Sequence, residues 1–138
     1  MPEISYLPVL VSGITAMVIG AVWYHPKVFG TEWMSLAGLS KADLEGAKRR
    51  GMVTAMLAAF AGSLLMMSVM DQILAFSGAV SLLQAGTIGF LVWLGFIAPV
   101  LLGSVLWENK PLKLCFINAV QYLIALIIGA AIIVMWPW

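Results

Sequence analysis

The sequence predicts an all-α polytopic membrane protein, with four transmembrane helices in two hairpins and both termini outside. Three observations carry that prediction. Apolar residues make up 63% of the chain and charged residues 9%, where soluble domains carry about 25% charge. Four charge-free stretches are each long enough to cross ~30 Å of hydrocarbon at about 1.5 Å per residue. All seven lysines and arginines fall in the first and third connecting loops. A soluble fold of this length leaves roughly a third of its unfolded surface exposed, too much for a mean hydropathy of +1.07. Lipid is the solvent, and one domain fills residues 1–138.

The first span covers about 4–24. Met1-Pro2-Glu3 supplies no basic segment and no small-residue cleavage pattern follows, so the span reads as retained and not as a secretory signal. The loop 25–51 contains Ser40-Lys41-Ala42-Asp43, a capping box with Asp in place of Glu, so a helix is expected from Lys41. Glu45 and Arg49 follow at i,i+4, and the helix either runs through Gly46 and Gly51 into the second span or bends there. The second span covers about 52–76 and the third 82–106, the longest at ~37 Å. Pro99 interrupts the third span by removing a helical donor, which gives either a kink that fits the bundle or a gating hinge. The fourth span covers about 114–136.

Basic loops stay cytoplasmic. Lys27, Lys41, Lys48, Arg49 and Arg50 therefore place loop 25–51 inside a cell (inner) membrane, and Lys110 and Lys113 place loop 107–113 beside it. Trp23, Tyr24, Trp33 and Trp107 then fall at the inner interface, and Trp136 and Trp138 at the outer one. Lys48, Arg49 and Arg50 meet lipid headgroups, each contributing on the order of 1 kcal/mol against anionic lipid. They are either a topology anchor or a specific headgroup site.

Small residues mark where helices approach closely in lipid. Ser12, Ala16 and Gly20 repeat every fourth residue, as do Ala55, Ala59 and Ser63, and every span carries such a face. More faces exist than one protomer needs, so a homo-oligomer is expected. Ser12, Ser63, Ser68 and Thr87 are expected to bond back to their own helix carbonyls.

No Asp, Glu, Lys or Arg lies mid-span, which argues against proton-driven pumping. The densest polar set is Asn118, Gln121 and Tyr122 on the fourth helix, about 6–12 Å from its cytoplasmic end. Tyr24, His25, Thr54 and Ser104 lie at similar or shallower depth on the other three helices. Buried amides and hydroxyls are costly unless paired. If these faces converge, they make interhelical hydrogen bonds, a binding site or a pore constriction. Asp71, near the outer end of the second helix, either caps a following turn or forms an acidic ring in an oligomer.

A single histidine, His25, rules out a multi-histidine metal site, and a single cysteine, Cys115, rules out an intramolecular disulfide. No nucleophile–base pair, glycine-rich phosphate loop or metal-ligand spacing occurs, so no enzyme activity, catalytic residue, metal or cofactor is expected. Net charge +1 implies no nucleic-acid partner. The bilayer is the expected partner, with the small-molecule ligand unknown.

The run Trp23-Tyr24-His25-Pro26-Lys27-Val28-Phe29-Gly30, with Trp33-Met34 after it, resembles the signature of the domain-of-unknown-function 1761 family. Those small bacterial and archaeal membrane proteins end their first helix in Trp-Tyr-x-Pro-x-x-Phe-Gly-x-x-Trp-Met. Trp107-Glu108-Asn109-Lys110-Pro111 and Phe116-Ile117-Asn118-Ala119 resemble its second half. The resemblance implies four membrane helices and no assigned activity, with Trp23, Tyr24, Pro26, Phe29, Gly30, Trp33 and Asn118 as motif positions. Two functional expectations follow. The protein either binds or passes a small solute or lipid through the cytoplasmic polar cluster, or is a structural or accessory subunit without a permeation path.

Overall fold

A computed structural model describes residues 3–137 of the chain. Trp138, expected at an interface, lies outside the described residues, as do Met1 and Pro2. The order is α1 (Tyr6–Trp23), a π turn (Pro26–Gly30), α2 (Thr31–Ala37), α3 (Lys41–Ser77), α4 (Leu82–Val92), a second π turn (Trp93–Ile97), α5 (Ala98–Leu106) and α6 (Leu112–Val134). α4, its π turn and α5 form one continuous span, Leu82–Leu106, so four helices are long and apolar enough to cross a membrane. The chain is an all-helical membrane protein.

Local chemistry explains most boundaries. Ser40 and Asp43 form the reciprocal capping box that starts α3. Gly51 then adopts φ 117° and ψ 71°, outside the helical region, and breaks α3 into a charged segment 41–50 and a span 52–77. Only glycine tolerates that conformation easily, so the bend falls there and not at Gly46. Gly38 and Gly78 end α2 and α3 in the left-handed conformation. Ser81 caps α4 by accepting the Gln84 amide. The expected Pro99 kink takes the form of the Trp93–Ile97 π turn, in which the Ala98 amide reaches back five residues to the Trp93 carbonyl. Pro99 has no N–H to give, and its ring pushes the carbonyl of Gly95 aside, so the preceding turn widens.

α6 is the hub. α1 packs along one side of it and α4 along another, α5 continues the α4 contact, and α3 lies chiefly against α1. α3 and α4 scarcely touch. Two core clusters result: Val9, Ala16, Met67 and Ala125 join α1, α3 and α6, and Met70, Leu74, Ala85, Leu126, Ala130 and Ile133 join α3, α4 and α6. A Cβ at Gly129 would fall 2.4 Å from the Met67 sulfur, so the absence of a side chain there lets Met67 seat fully. The outward faces of α3, α4 and α5, such as Leu65, Leu83 and Val100, are exposed and fit acyl chains.

Two polar expectations are corrected. Ser63, Ser68 and Thr87 do donate to their own helices, but Ser12 does not. Its fully buried hydroxyl donates across the bundle to the Gly129 carbonyl at 3.2 Å, because the missing side chain at Gly129 lets α1 approach. Asp71 caps no following turn. α3 continues to Ser77, and the Asp71 carboxylate, only 4% exposed, accepts the Ser5 amide at 3.0 Å. Ser5 precedes α1 and its own side chain caps nothing. Asp71 thus terminates α1 from another helix, with its charge at the positive end of the α1 dipole. Glu45 and Arg49 form no ion pair; among the described residues the ion pairs are Lys110–Glu108 and Lys113–Glu32.

Candidate functional site

α1 stops where Pro26 forces His25 into extended backbone, φ −66° and ψ 140°. The π turn that follows is closed by the Gly30 amide donating to the His25 carbonyl at 3.0 Å. A Cβ at Gly30 would lie 2.1 Å from the Tyr24 carbonyl oxygen, so no other residue fits without moving the turn. The tight return packs Phe29 against Trp23 in a tilted arrangement with ring centroids 4.5 Å apart, and brings Trp33 edge-on to Tyr24 at 5.4 Å.

This aromatic knot aims two polar tips at α6. The Trp23 indole donates to the Ile117 carbonyl at 3.0 Å, and the Tyr24 hydroxyl donates to the Asn118 side-chain oxygen at 2.7 Å. From α4's side, the Trp93 indole donates to the Ala119 carbonyl at 2.7 Å. Three consecutive residues of α6 are therefore held by aromatic donors from two other spans. Two of the motif's tips meet Ile117-Asn118, within the second stretch that carried the resemblance.

A family model described as a protein of unknown function (DUF1761) matches residues 7–134. The chain belongs to this family. No curated protein and no solved structure matches it. Family membership thus leaves the chemistry to the geometry.

Beside the knot lies a cleft of about 520 Å³ among α1, α3 and α6. Its polar residues are Tyr24, Gln121, Tyr122 and Ser63, the last donating to the Ala59 carbonyl of its own helix; Gly20, Ala59 and Gly62 form much of the rest. Gln121 is only 7% exposed, and no hydrogen bond among the described residues engages its side-chain amide. Gly20 faces the Gln121 amide, and a Cβ added there would stand 3.6 Å from its nitrogen, in ordinary contact. Gln121 offers two donors and one acceptor, and Tyr122 a hydroxyl. With no Lys, Arg, Asp, Glu or His in the wall, the cleft is suited to neutral hydrogen-bonding groups.

The other sequence candidates lie apart. His25 uses its Nδ1 to accept the Lys27 amide and is exposed. Thr54 is exposed on α3 just past the Gly51 bend. Ser104 donates to the Leu101 carbonyl. Lys48, Arg49 and Arg50 are exposed at the end of the charged segment of α3. No group of three or more His, Cys, Asp or Glu side chains among the described residues could hold a metal ion. Sequence reasoning did not single out Trp93. The available signal was a tryptophan far from either interface, whose N–H needs a partner inside the protein. Gly20 was read as a packing residue, and its place on the cleft wall beside Gln121 has no signature in sequence.

Proposed function

We propose that this protein binds a neutral, hydrogen-bonding group in the α1/α3/α6 cleft, with Gln121 as the principal recognition residue and Tyr122 beside it. The single observation behind the reading is Gln121, a largely buried residue on the cleft wall whose side-chain amide makes no hydrogen bond among the described residues. Its amide atoms, unlike those of Gln72, are not sealed away without a partner, so a group entering the cleft can reach them and satisfy a polar group that is costly to leave unpaired in lipid. Tyr24 and Asn118, already bonded to each other, position the wall. The basic loops Lys27, Lys48, Arg49, Arg50, Lys110 and Lys113 support an inward-facing cleft at the cytoplasmic end, with both termini outside. An exposed small position on the third span, Gly95, whose added Cβ would meet nothing, supports assembly as a homo-oligomer. No residue of the cleft is assigned a catalytic role.

Butyramide and 1-butanol serve as probes. Either should raise the unfolding midpoint of the purified protein, and Gln121→Leu should remove the shift while keeping the helical content. A native chain whose midpoint neither probe moves, together with a more stable Gln121→Leu variant, would return Gln121 to a purely structural role.

A further inference from the structure

The cleft adjoins a second cavity. Gly62 and Met66 line both, and the second, of about 280 Å³, lies between α3, α4 and α6 on the side away from the basic loops. Leu65, Val69, Ile73, Val92, Ile97 and Leu126 form most of that wall, and no polar side chain enters it. The second cavity exists because α3 leans on α1 while α4 leans on α6, leaving α3 and α4 nearly unjoined. The π turn contributes as well. Its five-residue repeat stacks residues that an α-helix would separate, so Val92 and Ile97 share the same wall. Along α3 the lining runs from Ala59 to Ile73, about 21 Å at 1.5 Å per residue.

We infer that the ligand is an uncharged single-chain amphiphile, its hydrogen-bonding head at Gln121 and Tyr122 and its hydrocarbon chain in the Leu65–Leu126 groove. This rests on the reading of the Gln121 cleft as a site for a neutral group, and adds what that group is attached to. Three features carry it. Polarity is confined to one of two adjoining cavities, as it is to one end of the ligand. The polar end holds amide and hydroxyl groups without a charge, so an ionised headgroup would be buried unpaired. The apolar cavity holds roughly nine water-sized groups at ~30 Å³ each, room for one medium chain. Entry is from the bilayer, sideways between α3 and α4, and requires no aqueous path.

The test uses the full chain in phosphatidylcholine nanodiscs and a monodecanoylglycerol probe with a diazirine at the chain end. Photolabelling should concentrate on Val69, Ile73 and Ile97. Unlabelled monodecanoylglycerol should compete, and glycerol at the same concentration should not. Gln121→Leu should lower the labelling at least tenfold. So should Val69→Trp, a half-exposed position whose replacement fills the groove without touching the buried core. Val69→Trp should still respond to butyramide, which separates this inference from the reading beneath it. Labelling spread evenly over lipid-facing positions such as Leu83 and Val100 would overturn the amphiphile. Competition by glycerol alone would do the same while leaving a small-solute site. A Val69→Cys disulfide dimer that excludes the probe would give the groove to a second copy, and also overturns it.

Discussion

The Tyr24 hydroxyl and the Asn118 side-chain oxygen stand 2.7 Å apart, joining the end of α1 to the start of α6 across 94 positions of sequence. The bond engages the Tyr24 hydroxyl at the cleft edge, and it fixes one wall of the cleft. It also explains why the aromatic turn and the Phe116-Ile117-Asn118-Ala119 stretch occur together: one supplies the donor and the other the acceptor.

Tyr24→Phe and Asn118→Ala should therefore be coupled. Interhelical hydrogen bonds in membranes average about 0.6 kcal/mol in double-mutant cycles. A cycle measured by reversible unfolding in mixed micelles should return a coupling of about that size or somewhat more, since aromatic packing around Tyr24 holds the geometry. Strictly additive single losses would mean the bond contributes nothing in the bilayer.

Asp71 makes a graded prediction. Asp71→Leu strands the Ser5 amide in the bundle and should cost about 1–3 kcal/mol. Asp71→Asn keeps an acceptor and loses only the charge at the α1 dipole, typically ~0.3–1 kcal/mol. Unfolding midpoints should rank native, Asn, Leu, and hydrogen exchange at Ser5 should accelerate only in the Leu variant. Equal midpoints for all three would show that α1 needs no cap from α3.

The capping box at Ser40 has a pH signature. Hydrogen bonds from the Ser40 backbone and hydroxyl hold the Asp43 carboxyl below the ordinary carboxylate range. A depressed pKa stabilises the folded turn above the unfolded value of about 3.9, and that contribution is lost as pH falls through the lower folded value. Amide exchange over residues 41–46 should quicken across that window. Asp43→Asn should flatten the dependence; an unchanged pH profile in that variant would place its origin elsewhere.

Membrane orientation is testable with single cysteines in a Cys115→Ala background. Gly78→Cys should react with an impermeant maleimide added outside intact cells, and Asp43→Cys should react only after permeabilisation. The reverse pattern would invert the topology argued from the basic loops.

The spans were legible in sequence because hydration of an uncharged 20-residue segment is costly wherever the segment sits, so composition alone registers them. The Ser40 capping box was legible for a similar reason, since its interactions close within four residues. What was not legible depends on which faces meet. Ser12 looked like any serine in a membrane helix, able to bond back to its own turn, until Gly129 brought a foreign carbonyl closer. Asp71 looked like a helix end because its partner is a backbone amide 66 positions away. In lipid both sides of a helix are apolar, so the alternation that marks a buried face in soluble proteins is nearly absent. Of the polar set, Tyr24, Gln121 and Tyr122 border the cleft and Asn118 braces it, whereas His25, Thr54 and Ser104 satisfy themselves locally or face outward. Depth along a span could be counted from the residues. Rotation about the helix axis could not.

The π turn at Trp93–Ile97 carries one residue more than an ordinary helix would need over the same path. Everything from Ala98 to Leu106 is therefore turned by about 100° relative to an unbroken continuation of α4. Trimming a single residue from this turn would straighten the rod and swing its lower third onto a different neighbour, while leaving hydropathy, length and every side-chain type almost untouched. Insertions and deletions at this one spot act as a rotary adjustment of which surface the span offers to the lipid and which to α6.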